Sequence, residues 1–178
     1  MAENKSILWK KEKHLKRTYT FKLSEKLAGT YKSKGVWSSD GSGEIGDRKL
    51  ILRTTRKATK SWTVYDAATE KSLGEISFYW KDFQRSKLVL ASGKEFYFRS
   101  YDLFRGAWSW MRGDSPLEQF VFRVDNPLHR SGEIEDSSKG LSAEERDVLL
   151  ILGLHLQHFI NDWLITILII LFVILTGD

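Results

Sequence analysis

The amino-acid sequence predicts a mainly β fold with one long C-terminal α-helix, arranged as a closed antiparallel barrel around that helix. Three observations carry the prediction. Short period-2 segments, separated by turn residues at intervals of about 8–12 positions, fill the chain between Lys5 and Glu135. A capping signal at Ser142 then opens a helix that is apolar on every side, and such a helix must be enclosed by protein or by lipid. Ten or eleven strands also enclose a space that wall side chains alone do not fill, because this limit is reached near about eight strands. One apolar helix inside the cylinder solves both problems.

The strand candidates follow in order. Arg17–Leu23, Thr30–Trp37, Lys49–Thr55 and Ser61–Asp66 come first. Gly74–Lys81 alternates most clearly: Ile76, Phe78 and Trp80 share one face, and Glu75, Ser77, Tyr79 and Lys81 the other. Lys87–Ala91 pairs as a hairpin with Lys94–Arg99, in which Phe96 and Phe98 oppose Glu95, Tyr97 and Arg99. Gly106–Met111 leads to Gln119–Asp125, where Phe120, Phe122 and Val124 oppose Val121 and Arg123, and His129–Glu135 is last. Asp40-Gly-Ser-Gly43, Ser92-Gly93, Arg112-Gly-Asp-Ser-Pro116 and Asp125-Asn-Pro127 read as turns. The lack of a helical period before residue 140 argues against a parallel α/β fold.

The helix begins at a capping box. The Ser142 hydroxyl is placed to accept the amide of Glu145, and Glu145 to reach back, while Glu144, Glu145 and Asp147 complement the helix dipole. Val148, Leu149, Leu150, Ile151, Leu152, Leu154 and Leu156 then leave no polar face, and Gly153 gives a wall aromatic room to approach the helix backbone. The chain divides into a barrel with its central helix, residues 1–162, and an apolar extension, residues 163–178. One helix from Ser142 to Leu175 would run about 50 Å against a barrel about 20 Å tall, so the end must protrude or break at Asn161-Asp162.

Composition excludes several chemistries. Among 178 residues there is no Cys, which removes disulfides, thiol nucleophiles and the usual zinc sites. No Gly-rich phosphate loop, GxSxG or HExxH occurs, so the expectation is a non-enzymatic protein without a cofactor. No secretory signal opens the chain, which predicts a cytoplasmic barrel. The net charge of +5 conceals a gradient: residues 1–60 carry +10, residues 61–140 carry −1 and residues 141–178 carry −4. A basic N-terminal third attracts acidic membrane, acidic protein or nucleic acid. The aromatics fall on the inward side of the strands, which argues against base stacking and nucleic acid.

Three sets of residues are candidates for function. Lys49, Arg53, Arg56, Lys57 and Lys60, with Lys10, Lys11, Lys13, Lys16 and Arg17, suit an anionic lipid surface, each adding about 1 kcal/mol near such a surface. Trp163, Leu164, Ile167, Ile170, Leu171 and Phe172 suit membrane insertion, with Trp163 placed as an interfacial anchor. The 13 positions from Trp163 to Leu175, apolar except for Thr166, cover only about 20 Å of the ~30 Å hydrocarbon core, so the alternative is a buried segment, or one that binds a protein partner or itself. His155, His158 and Asp162 share one helix stripe and are weak metal candidates; buried or rim polar groups hydrogen-bonded to strand backbones are the stronger reading.

Trp62-Thr-Val-Tyr-Asp66, Gly74-Glu-Ile76, the Lys87–Ala91 and Lys94–Arg99 hairpin, Phe120–Val124 and the apolar helix together resemble the tubby-like superfamily. That group includes the tubby C-terminal domain, the LURP-one-related proteins and the phospholipid scramblases. Leu149 to Asp162, with its Leu-rich start, glycine and late aspartate, is similar to the scramblase-type terminal helix. The resemblance covers roughly residues 15–162. It implies a twelve-stranded barrel threaded by the helix and association with membrane phospholipid. The charge flanking the C-terminal segment, rather than the resemblance, predicts a barrel on the cytoplasmic side, peripheral to the membrane or anchored in it by the C-terminus. No catalytic signature accompanies the resemblance, and residues 163–175 depart from its pattern.

Overall fold

The computed structural model describes residues 5–12, 18–23, 26–34, 40–56, 61–79, 86–102, 107–113, 118–126 and 129–176. Twelve strands run in chain order: β1 Lys5–Lys11, β2 Thr18–Leu23, β3 Lys26–Ser33, β4 Gly41–Ile45, β5 Arg48–Arg56, β6 Ser61–Asp66, β7 Ser72–Ser77, β8 Lys87–Leu90, β9 Glu95–Asp102, β10 Ala107–Arg112, β11 Glu118–Asn126 and β12 His129–Asp136. Each pairs antiparallel with its neighbours in sequence, and β1 closes the cylinder on β12 with Ile7 opposite Ile134. An even number of strands makes this closure antiparallel too, so no edge is left exposed. The helix α1, Ala143–Thr176, threads the centre.

Two strands are additional to the sequence reading and two others have different bounds. β1 was missing from the candidates because Leu8 points outward between inward Ile7 and Trp9, which blurs the alternation. β4 occupies the stretch read as an Asp40–Gly43 turn. Its Gly43 serves the helix rather than a turn: a Cβ there would overlap the Ile151 side chain of α1. The third strand runs Lys26–Ser33, not Thr30–Trp37, and Trp37 lies outside the described residues. β7 stops at Ser77; Phe78 is still buried, whereas Trp80 and Lys81 lie outside the described residues.

The core is the contact between helix and wall. Trp9, Trp62, Trp108, Trp110, Tyr31, Phe21, Phe78, Phe96, Phe98, Phe120 and Phe122 are among the largest fully buried side chains. Every helix residue from Val148 to His158 is buried. Successive helix positions meet strands all around the cylinder. Leu149 carbonyl accepts Trp110 Nε1 of β10 at 3.2 Å, Ile151 faces Gly43 of β4, and Gly153 faces Phe122 of β11. His155 meets Tyr31 of β3, and Gln157 Oε1 accepts Trp108 Nε1 at 2.7 Å. Gly153 is required here, because a Cβ would overlap the Phe122 ring, which is itself stacked on Trp108 at 4.2 Å.

The first turn of α1 closes one mouth of the barrel with charge. Glu145 and Ser142 form the predicted capping box: Ser142 N donates to Glu145 Oε2 at 2.8 Å, and Glu145 N to Ser142 Oγ at 3.1 Å. Lys94 Nζ and Ser92 Oγ also donate to the Glu145 carboxylate, at 2.7 and 2.6 Å. Burial alone would raise the Glu145 pKa, but the bonds from Lys94, Ser92 and Ser142 outweigh it and the net shift is downward. Arg48 pairs with Asp147 and Arg146 with Asp136 at the same mouth.

Candidate functional site

The opposite mouth, where α1 leaves, is the candidate site. The strands that end there include the start of β2, the end of β3, the end of β5 and the start of β6, since Tyr19 touches His158 and Trp62 touches Phe159. The helix does not break at Asn161-Asp162. Gln157 Nε2 donates to Asn161 Oδ1 at 2.9 Å, His158 Nε2 lies 3.4 Å from Asp162 Oδ2, and Thr166 Oγ1 donates to the Asp162 carbonyl at 2.8 Å. Each polar group finds a partner four residues away on the same helix, so α1 continues unbroken out of the barrel.

Beyond the mouth the helix sheds its protein contacts. Ile165, Thr166 and Ile167 are half-buried, and then Ile169, Ile170, Phe172, Val173, Ile174 and Leu175 are exposed, rising to 79% at Leu175. Of the insertion candidates, Ile170 and Phe172 are therefore in the open, and Ile167 sits at the rim. Trp163, Leu164 and Leu171 belong to α1, but their side chains lie outside the described residues. By length and composition alone α1 is long and apolar enough to cross a membrane, but its residues from Val148 to His158 are enclosed by the barrel. A terminal run of six exposed large apolar residues is unusual for a soluble surface and marks an interaction surface.

The polar stripe on α1 is internal. Tyr31 Oη and His155 Nδ1 lie 2.6 Å apart, and Tyr19 Oη and His158 Nδ1 2.9 Å apart. Sequence reasoning missed both tyrosines as partners, although their inward parity on β2 and β3 was the available signal. Among the described residues, no three His, Cys, Asp or Glu groups converge to hold a metal ion. The Nδ1 atoms of His155 and His158 are engaged by tyrosine hydroxyls, not by the strand backbones that the sequence suggests as partners. Burial pushes His155 down to about 4, and its Nε2 is buried without a partner among the described residues.

Of the basic candidates on β5, the side chains of Lys49 and Arg53 are described and that of Arg56 is not. Lys49 lies near the charged mouth, Arg53 four residues along the outward face, and Arg56 at the strand end beside the exit. Lys49 Nζ pairs with Glu44 at 3.3 Å, and Arg53 pairs with Glu70 at 3.9 Å while lying over the Tyr65 ring. Lys57 and Lys60, like Lys13, Lys16 and Arg17, lie outside the described residues.

Fold and site together define a closed up-and-down barrel, threaded by one helix that ends in an exposed apolar tail. No family model matches the chain, and no curated protein matches it. Among solved structures, it is similar to an X-ray structure of a protein from Arabidopsis thaliana. The TM-score is 0.57 at 10% sequence identity, covering 84% of this chain and 87% of that one. At that identity the likeness is one of fold.

Proposed function

We propose that this chain is a non-enzymatic, tubby-like barrel that attaches to the cytoplasmic face of a phospholipid membrane through the free end of α1, with basic residues adding attraction to anionic headgroups. The observation that carries the reading is the exposure of Ile169, Ile170, Phe172, Val173, Ile174 and Leu175 on a helix whose other end is locked inside the barrel. Fourteen residues from Trp163 to Thr176 extend about 21 Å, enough to pass the midplane of a ~30 Å hydrocarbon core from one side. Tail insertion and surface charge are the two weak signals that stable anchoring requires.

Flotation with phosphatidylcholine–phosphatidylserine vesicles tests the reading. The full chain should rise with the vesicles, and less of it in high salt, because surface attraction is screened. I170D/V173D places two carboxylates in the tail, each costing about 2.5–3.5 kcal/mol near the bilayer centre, and should lower vesicle binding more than about hundredfold. Both positions are exposed, so the barrel should keep its stability. A full chain that stays below the vesicles as a soluble oligomer would sink the lipid reading and assign the tail to self-association or a protein partner.

A further inference from the structure

The strands β1, β2 and β3 are adjacent on the cylinder and hold six lysines and no acidic residue. Lys10, Lys22, Lys26 and Lys32 are exposed, and among the described residues none of the four has an ion pair. The acids on the flanking strands are already engaged. Glu135 of β12 holds Arg123 at 2.9 Å, Glu133 accepts from Ser6, and Glu44 of β4 holds Lys49. Two leucines are also exposed on this wall, Leu8 by 49% and Leu27 by 64%. The register sets Leu8 opposite Lys22 and Lys22 opposite Leu27, so one lysine lies between two leucines in a row across the strands. Cross-strand neighbours are about 5 Å apart, which makes this a compact patch.

The direction of the wall decides what it faces. The tail of α1 is apolar on every side, with Thr166 the one polar residue between Trp163 and Leu175. A helix that lies flat in a membrane interface needs a polar face, so this tail enters end-on. Its axis is also the barrel axis, and the wall of β1–β3 then runs along the membrane normal and faces sideways. We infer that this wall is a docking surface for an acidic protein segment that carries apolar side chains, held beside the barrel on the same membrane face. The sideways direction rests on the anchoring reading; the charge and the leucines stand without it. Lysines supply steering and salt-dependent attraction, and Leu8 and Leu27 supply the apolar contact that fixes position.

The test uses the full chain in phosphatidylcholine nanodiscs and a fluorescein-labelled probe peptide of six Glu and two Leu, read by anisotropy. The peptide should bind, and raising salt from about 50 to about 300 mM should weaken it about tenfold. K10E/K22E/K32E should weaken it by about tenfold or more, and L8S/L27S by several-fold, while K49E/R53E should stay within about twofold. Absence of binding, or equal binding by the K10E/K22E/K32E variant, overturns the inference. So does loss of binding to phosphatidylserine vesicles in that variant with the peptide unbound, which would assign the wall to lipid. If the tail fails to enter the discs, the peptide titration is run on the free chain, so failure of anchoring and failure of docking are read separately.

Discussion

His155 shows how a single buried group ties the helix to the wall and to solution pH. It is 1% exposed, bonded to Tyr31 through Nδ1, and packed edge-on against Trp62 with ring centroids 5.1 Å apart. Its pKa in the fold is about 4, below the ordinary value of 6.5, so the unfolded chain binds the proton first as pH falls. Its destabilising effect is therefore absent above about pH 6.5 and grows as pH drops toward 4, by roughly 3 kcal/mol over the interval. Urea denaturation of wild type and His155→Gln at pH 7 and pH 4.5 checks this: the variant should lose clearly less stability on acidification, and equal losses would sink the assignment. Gly153 is the second decisive residue. Gly153→Ala should cost about 1–3 kcal/mol, because Phe122 is pinned by Trp108 and has little room to retreat. G153A/F122L should recover much of the loss; a double variant no better than the single one would show that the clash lies elsewhere.

At the scale of the element, α1 is one helix with two environments. Its first turn is held by Glu145, which bonds Ser142, Ser92 and Lys94 at once. Ser142→Ala should cost about 1 kcal/mol, the usual value of a lost N-cap, in a denaturation midpoint. Glu145→Gln should cost more, since it weakens the ion pair with Lys94 as well as the cap. Because the Glu145 pKa is lowered in the fold, its contribution is present above the ordinary carboxylate range and is lost as pH falls through the lowered value. Glu145→Gln should therefore flatten the acid limb of the stability curve. The middle of the helix is protein core and its end is apolar surface, yet the residue types are nearly the same. Leu, Ile and Val suit the barrel interior because it offers no water to a side chain, and on the proposed anchoring the same would hold for the tail in lipid.

At the scale of the molecule, barrel and helix have no separate cores. The inward apolar and aromatic residues of the strands form one core cluster with α1, and without the helix they would surround a void. A chain ending at Gly140 should show no cooperative unfolding transition, and its tryptophan emission should report exposed rings; a folded hollow barrel would refute this. In the full chain, held in mild detergent, tryptophan fluorescence and far-UV circular dichroism should unfold with one midpoint, because the helix cannot melt while the wall persists. Closure joins Lys5 to Asp136, and every helix contact adds further long-range pairing, so refolding should be slow for a domain of this size.

The mainly β class, the capping box at Ser142, the closed barrel and the helix inside it were legible in the sequence, because alternation and an all-apolar helix reflect local water exclusion directly. Gly153 was legible too, as a small residue in a crowded helix. The residue pattern alone reads as ten or eleven strands, short of the twelve that the resemblance implies and the barrel has, because Gly41 and Gly43 carry turn chemistry and only the closeness of Tyr31 to the first and of Ile151 to the second explains them as strand residues. The partners of His155 and His158 were equally hidden, since Tyr31 and Tyr19 lie more than a hundred positions away along the chain. Among the basic residues, charge alone grouped Lys49 and Arg53. The register and the neighbouring acids separated them, and left Lys10, Lys22, Lys26 and Lys32 together on one wall. Local patterns report what a residue wants to be near; which residues it meets is set by closure of the cylinder.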